Sequence, residues 1–266
     1  SSFLLSLFNI RKEIAYLFAA FHIQTFVSHN LNSTIVILRH MKNFIFILLM
    51  LSNIGFAYSQ DWSNLKRFQK ENAELIDPQS GEHRVVFMGN SITEFWSKMR
   101  PSFFIDKSYI NRGISGQTTP QMLLRFRQDV IHLNPSVVVI LAGINDIAGN
   151  TGPTTIEVIA NNIISMIELA KSNKIKVVLC SVLPVFDFPW NQGLKPAEKV
   201  IKLNSLLKSY AEQNSIVYVD YFSPMVNEVN GLKKELGDDG VHPNITGYII
   251  MEPLLENGIV KALAQK

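Results

Sequence analysis

Four short stretches of this 266-residue chain carry side chains that together could break an ester bond. Ser91 directly follows an apolar run and could act as a nucleophile. A serine hydroxyl is a poor nucleophile at neutral pH, so it needs a base within hydrogen-bond reach. Asp239 and His242 lie three positions apart near the other end of the chain, where the carboxylate could orient the imidazole and the imidazole could take the serine proton. The sequence therefore predicts a serine nucleophile served by a His–Asp pair.

The chain also offers donors for the oxyanion that forms when a serine attacks an ester carbonyl. The expected donors are the backbone N–H of Ser91, the backbone N–H of Gly113 and the side-chain amide of Asn145. Glycine at position 113 would let the backbone approach the substrate closely. Removing one such donor typically costs about 3 kcal/mol of barrier, so their presence matters to the prediction.

Each of these motifs has a structural interpretation when it is taken alone. A serine after a strand is often a helix N-cap, Asn145-Asp146 could be a plain turn, and Asp-x-x-His could be a surface loop. The remaining histidines beyond residue 60, His83 and His132, are best interpreted as surface or capping residues. All four motifs follow one another at predicted strand ends, and this combination favours catalysis.

The elements that must position these residues alternate along the chain. Short apolar runs typical of buried parallel strands occupy residues 84–88, 109–111, 137–142, 176–182 and 216–220. Helical patterns occupy residues 119–132, 154–171, 197–213 and 246–264. This alternation predicts an α/β fold with a doubly wound parallel sheet. In such sheets ligands bind outside the carboxyl ends of the strands, where the candidate residues fall.

The first 59 residues differ in character from the rest. Residues 41–59 combine Lys42, an apolar run and the small-x-small sequence Ala57-Tyr58-Ser59, which is typical of a cleaved secretory signal peptide. We therefore expect residues 1–40 to be a non-native upstream extension, residues 41–59 to be a signal peptide and residues 60–266 to be one catalytic domain. This organisation predicts a secreted or periplasmic protein whose mature chain does not insert stably into a membrane. No cysteine follows the apolar run, which argues against a lipid anchor.

The charge balance gives no reason to expect nucleic acid as a partner. The chain has 25 basic and 22 acidic residues, of which residues 1–60 hold four and one, so the remainder has 21 of each and is neutral. Cys180, the only cysteine, lies in an apolar run and is expected to be buried. We expect neither a metal nor another cofactor, because the sequence has no His-Glu-x-x-His motif and no Cys/His cluster.

Taken together, the four motifs resemble the SGNH hydrolases, also called GDSL-type lipases and acylhydrolases. The matching blocks are Gly89-Asn90-Ser91, Gly113 in Asn111-Arg112-Gly113-Ile114-Ser115-Gly116, Gly143-Ile144-Asn145-Asp146, and Asp239-Gly240-Val241-His242-Pro243. The resemblance implies a Ser91–His242–Asp239 triad, an oxyanion hole completed by Gly113 and Asn145, and a flavodoxin-like three-layer α/β/α sandwich. The family's name motif has Asp where this chain has Asn90, a difference that bears on substrate or pH preference.

Within that family, the spacing and residues 113–119 are most similar to compact acetylhydrolases and carbohydrate acetylesterases. This implies a short-chain, O-acetyl esterase that acts on small-molecule or glycan esters. Asn90 and Trp190 are the expected substrate-binding residues, and the neighbouring Phe186 and Phe188 could either line the site or pack within their loop. A lysophospholipase or thioesterase, and a catalytically silent carbohydrate-binding relative, stay as alternatives. The sequence leaves the oligomeric state open.

Overall fold

The computed structural model describes Arg39, residues 41–46 and residues 61–265. The chain divides into two compact units, Ser1–Gln60 and Asp61–Lys266. Arg39 and residues 41–46 are helical, whereas the rest of the expected upstream extension and signal peptide lies outside the described residues. In the part of the chain that the structure describes, no helix is both long enough and apolar enough to cross a membrane.

The second unit is a parallel sheet with helices on both faces. Its strands are β1 (Val85–Gly89), β2 (Tyr109–Gly113), β3 (Val137–Leu141), β4 (Lys176–Cys180) and β5 (Val217–Val219). Its α-helices are α1 (Gln69–Glu74), α2 (Ser91–Met99), α3 (Pro101–Phe104), α4 (Thr119–Asp129), α5 (Ile144–Ile147), α6 (Ile156–Ser172), α7 (Pro196–Gln213), α8 (Phe222–Met225) and α9 (Ile245–Ala264). Short 3₁₀ turns occupy Ile131–Leu133 and Lys234–Leu236.

The strands are all parallel and lie in the order β2-β1-β3-β4-β5. Helices α2 and α9 cover one face, and α4, α6 and α7 cover the other. The predicted three-layer α/β/α sandwich is therefore confirmed. The chain reverses its direction of travel across the sheet between β1 and β3, and doubly wound folds bind their ligands at this switch point.

The strands form because their residues are apolar on both faces. Every residue of β1 and β3 is buried, as parallel strands covered by helices require. The five predicted strands and the four predicted long helices are all present, with ends that differ by at most three residues. Cys180 is fully buried at the end of β4, where burial raises the pKa of its thiol to about 12.

Helix α2 was not among the predicted elements, although it begins at the candidate nucleophile. Its start requires a glycine at the end of β1, because a Cβ at Gly89 would lie 2.0 Å from the Thr93 hydroxyl and 2.9 Å from the Leu141 carbonyl oxygen. The strand thus turns into the helix without a loop, and Ser91 is the first helical residue.

Candidate active site

The three expected triad residues lie in one hydrogen-bonded chain. Ser91 Oγ is 2.9 Å from His242 Nε2, and His242 Nδ1 is 2.7 Å from Asp239 Oδ2. Ser91 comes from the end of β1, whereas the other two residues come from the loop that precedes α9, about 150 positions later. The fold therefore joins a hydroxyl, an imidazole and a carboxylate in the order that a serine nucleophile needs.

Asp239 is held in an ionised state by its own loop. Burial raises the pKa of this carboxyl, but hydrogen bonds from the His242 backbone N–H, the imidazole and the Val241 N–H outweigh that effect, so the pKa lies below its usual value. The backbone donors are 2.7 and 2.9 Å from Oδ1, which leaves Oδ2 to the imidazole. The neighbouring Asp238 accepts instead from the Asn244 amide. His83 and His132 are both exposed, as expected.

Two of the three expected oxyanion donors have an N–H group without an acceptor among the described residues. Ser91 is the first residue of α2, so its N–H has no intrahelical acceptor, and among the described residues it donates to none. Asn145 lies in α5, shortly after β3, and donates one of its two side-chain N–H groups to the Gln117 carbonyl, 2.9 Å away. Its second N–H is left for another acceptor.

The prediction that the backbone N–H of Gly113 is an oxyanion donor is wrong. Its N–H donates to Asn111 Oδ1 at 2.8 Å, and the residue is buried. A Cβ at this position would lie 2.2 Å from the backbone nitrogen of Glu94, so the glycine is needed because β2 packs against the backbone of α2. The reason for a glycine here is packing rather than access to the substrate.

Gly116, three residues further along, has the properties that Gly113 lacks. It is exposed, has φ of +76°, and within the described residues its N–H donates to no acceptor. Its loop is attached at two points to the segment that follows β3, because Asn145 donates to the Gln117 carbonyl and Asn150 donates to the Gly116 carbonyl. In the sequence, the only sign that Gly116 could be an oxyanion donor was its presence as a second glycine in the same motif as Gly113.

Asn90 also has a different role from the one expected. The residue is 1% exposed, and its Oδ1 accepts from the Ile92 N–H at 3.0 Å. It therefore caps α2 and is not placed to contact a substrate with its side chain. Trp190, in contrast, is 51% exposed, and its ring centroid lies 6.1 Å from that of His242. Of its neighbours, Phe188 is buried and Phe186 is exposed.

A buried network that the sequence did not predict fixes the loops around Ser91. Arg125 donates to the Gly89 carbonyl at 3.1 Å, to Gln117 Oε1 at 2.6 Å and to Asp129 Oδ2 at 3.1 Å. It is fully buried, and desolvation lowers the pKa of its guanidinium to about 10. The side chain of Arg125 thus links Gly89, at the end of β1, to the loop that contains Gly116.

Asp146 makes the corresponding link on the other side of the site. It follows Asn145 directly and accepts from the Thr119 N–H at 3.0 Å and the Thr119 hydroxyl at 2.6 Å. Burial raises the pKa of this carboxyl to about 6, even though the hydrogen bonds from Thr119 oppose the shift. The end of β3 and the start of α4 are therefore held together by a carboxylate beneath the site.

The described residues contain no group of three or more His, Cys, Asp or Glu side chains that could hold a metal ion.

Comparisons with known proteins identify the family of this chain. The family model of the GDSL-like lipase/acylhydrolase family matches residues 87–250. A GDSL-like lipase from Bacteroides thetaiotaomicron is 52% identical, with a TM-score of 0.74 over 75% of this chain and 98% of its own. An esterase of Pseudomonas aeruginosa is 25% identical over 69% of this chain and 89% of its own. An acetylxylan esterase from Geobacillus stearothermophilus, 18% identical, shares the fold with a TM-score of 0.52 over 66% of this chain and 94% of its own.

The family match extends over more than half of the chain and includes all four motifs. The resemblance inferred from those motifs is thereby confirmed. This chain belongs to the GDSL-like lipase/acylhydrolase family and is a carboxylic ester hydrolase.

Proposed function

We propose that the protein is an exported serine esterase that removes short acyl groups, above all acetyl, from carbohydrate esters. The observation that carries the proposal is the continuous hydrogen-bonded chain from Ser91 through His242 to Asp239. A hydroxyl 2.9 Å from an imidazole nitrogen can transfer its proton as it attacks, which is the requirement for an acyl-enzyme mechanism.

In the first half of the reaction, His242 Nε2 takes the proton of Ser91 as Oγ bonds to the ester carbonyl carbon. The carbonyl oxygen becomes an oxyanion, which accepts from the Ser91 N–H, the Gly116 N–H and the second side-chain N–H of Asn145. Asp239 stabilises the imidazolium that forms. The imidazolium then gives its proton to the sugar oxygen as the bond between that oxygen and the acyl carbon breaks. The sugar leaves with a free hydroxyl, and the acyl group stays on Ser91.

In the second half, water replaces the sugar. His242 takes a proton from the water as its oxygen attacks the acyl carbon, and the imidazolium returns that proton to Ser91 Oγ as the acid leaves. No metal or redox partner is needed, because each step moves only protons and an acyl group.

Three features favour a carbohydrate ester with a short acyl group. Trp190 presents an exposed aromatic face next to His242, and such faces stack well on sugar rings. A fold relative at 18% identity is an acetylxylan esterase, and its substrate is consistent with this proposal. The sequence also lacks a Leu- or Met-rich lid segment of the size that a long acyl chain would need.

Hydrolysis of p-nitrophenyl acetate, butyrate and octanoate, with Ser91→Ala in parallel, tests the proposal. We expect acetate to be the best substrate, and we expect Ser91→Ala to reduce kcat by at least ~10⁴-fold, as in other serine hydrolases. Activity that survives in folded Ser91→Ala would refute the nucleophile, and a preference for octanoate would move the protein to the lysophospholipase or thioesterase class.

The two neighbouring aspartates supply a matched control. Asp239→Ala should reduce kcat by roughly 10⁴-fold, because the imidazole loses both its orientation and its counter-charge. Asp238→Ala should retain most of the activity, because this carboxylate contacts Asn244 rather than His242. An equal loss in both variants would refute the triad.

Export is proposed on the sequence of residues 41–59 alone. N-terminal sequencing of the protein from the medium or periplasm should find a start close to residue 60. Recovery of a chain that retains residues before Met41 would contradict both the signal peptide and the interpretation of residues 1–40.

A further inference from the structure

A cavity of about 250 Å³ opens beside Asp239. It lies between residues 186–192, the turn at 227–232 and residues 239–240. Asp239 contacts the imidazole that in turn contacts Ser91, so the cavity starts one imidazole ring away from the nucleophile. A substrate that places its ester at Ser91 and extends past His242 would reach it.

One aromatic ring of the cavity is free to contact a ligand. Phe186 is 59% exposed, whereas Phe188 is fully buried. The neighbouring turn packs against the base of this side chain, because a Cβ on Gly231 would lie only 2.8 Å from the Phe186 Cβ. The cavity therefore has a solvent-facing aromatic ring, which is the usual platform for an apolar face of a sugar ring.

The polar groups of the cavity favour a neutral ligand with hydroxyl groups. Asp187 and Asp239 contribute carboxylates, and no Lys or Arg is among the described residues that line the cavity, which disfavours an anionic ligand. The side chain of Gln192 makes no hydrogen bond within the described residues, so its amide can both donate and accept. The amide of Asn227 is already used by its own turn, where it bonds to Val229, Gly231 and Leu232.

Trp190 lies between the candidate triad and Phe188, a buried residue in the wall of the cavity. The ring centroid of Trp190 lies 6.1 Å from that of His242 and 5.4 Å from that of Phe188. Trp190 is exposed, so it can support one ring of a substrate while the cavity takes the next.

We propose that this cavity binds a neutral sugar ring adjacent to the ring that carries the ester, so that the enzyme prefers O-acetylated oligosaccharides to O-acetylated monosaccharides. This inference rests on the proposed function. The cavity is smaller than the roughly 300–1,000 Å³ of sites for drug-sized ligands, which suits a single ring. A quaternary ammonium head group is a poorer fit, because such groups are bound by several aromatic faces and only Phe186 offers one here.

Direct binding tests the cavity without any need for catalysis. The full chain is titrated with xylotriose, cellotriose, mannotriose, trigalacturonic acid and choline. We expect at least one neutral trisaccharide to bind, and we expect Phe186→Ala to weaken this binding about three- to tenfold, the effect of one lost stacking contact. Val229→Ala, an exposed residue on the same turn that does not line the cavity, should bind like the wild type. Binding of only the charged probes, or equal binding by Phe186→Ala, would overturn the proposal.

Kinetics separates this inference from the proposed function. The ratio of kcat/KM for O-acetylated xylotriose to kcat/KM for O-acetylated xylose should exceed one and should fall at least threefold in Phe186→Ala but not in Val229→Ala. If p-nitrophenyl acetate is hydrolysed and this ratio does not respond to Phe186→Ala, the sugar cavity is refuted and the esterase stands. If the wild type hydrolyses no ester while the trisaccharide binding still depends on Phe186, the esterase is refuted and the cavity stands.

Discussion

The two sides of the candidate active site are built differently. The nucleophile side, which comprises residues 89–91, 113–119 and 143–146, is mostly buried and is connected by Arg125 and Asp146. The base side, which comprises residues 186–193 and 238–242, is largely exposed: the side chain of Asp239 is 41% exposed, and the aromatics beside it face solvent.

This difference separates two tasks within one site. Placement of the nucleophile and the oxyanion donors tolerates little error, so it is supported by buried groups that have one arrangement. Recognition of a substrate needs accessible surface, so it falls to loops. Substitutions on the nucleophile side should therefore change stability and kcat, whereas those among the aromatics of the base side should change substrate affinity.

The largest effect should follow removal of the buried cation on the nucleophile side. Arg125→Met leaves Asp129 buried without its ion-pair partner, and the free energy of unfolding should fall by about 3–5 kcal/mol. Arg127→Met, two positions along the same helix at an exposed site, should change it by less than ~0.5 kcal/mol. Urea unfolding measures the free energy of unfolding of both variants. A similar loss in the two would show that the buried network of Arg125 does not stabilise the fold more than an exposed arginine does.

The two carboxylates, one on each side, should respond to pH in opposite directions. The fold raises the pKa of Asp146 to about 6, so the folded protein favours the neutral form of this carboxyl. Between about pH 4 and pH 6 the carboxyl is ionised in the unfolded chain but still protonated in the folded protein, and the wild type therefore loses stability as the pH rises. The stability advantage of the wild type over Asp146→Asn should therefore shrink across this window, by up to ~3 kcal/mol. The fold lowers the pKa of Asp239, so the advantage of the wild type over Asp239→Asn should be complete above about pH 4 and should fall at lower pH.

Unfolding midpoints of the three proteins between pH 3 and pH 7 check both signs. If the two differences moved in the same direction with pH, the contrast between the buried and the exposed carboxylate would be wrong.

The two glycines of the second motif should separate stability from catalysis. Gly113→Ala pushes a Cβ into the backbone of α2, and we expect a loss of about 1–3 kcal/mol or more in the free energy of unfolding. At Gly116 the nearest atom to a new Cβ is 4.0 Å away, so Gly116→Ala acts mainly through the cost of its positive φ and displaces the N–H. Its kcat should fall about tenfold or more. Thermal unfolding and p-nitrophenyl acetate turnover, measured on both variants, would contradict the assignment if Gly113→Ala were folded, stable and inactive.

The smallest effect should be on the base side. Trp190→Ala removes the exposed ring beside His242 and should raise KM for an O-acetylated oligosaccharide about three- to tenfold, with a much smaller change in kcat. Trp62→Ala removes an exposed ring from a residue that belongs to neither side of the site, and it serves as the control. A fall in kcat with an unchanged KM would place Trp190 with the catalytic groups instead.

The sequence predicted the parts of the site that depend on topology. Ser91, Asn145, Asp239 and His242 follow strands or precede the last helix, and a parallel sheet brings such positions to one edge whatever the details of the loops. Asp239 was preferred to Asp238 on spacing, and the structure places it against the imidazole.

The sequence did not predict the parts that depend on local hydrogen bonds. Gly113 and Gly116 lie three residues apart, and nothing in the pattern shows that the side chain of Asn111 occupies the first N–H. Arg125 belongs to an amphipathic helix whose charged residues would ordinarily face solvent, so its burial became visible only with its three acceptors in place. Helix α2 was missed because its first residue was interpreted as a nucleophile after a strand and not as the start of an element.

The neutral cap of α2 has an electrostatic consequence for the nucleophile. A helix N-terminus carries the equivalent of about half a positive charge, and Ser91 lies in its first turn. An aspartate at position 90, as in the family's name motif, would place a full negative charge against this end of the helix. With Asn90 the same backbone donor is satisfied, yet the positive field is left for the developing oxyanion. The replacement of the motif's Asp by Asn90 thus affects the local potential in which Ser91 reacts.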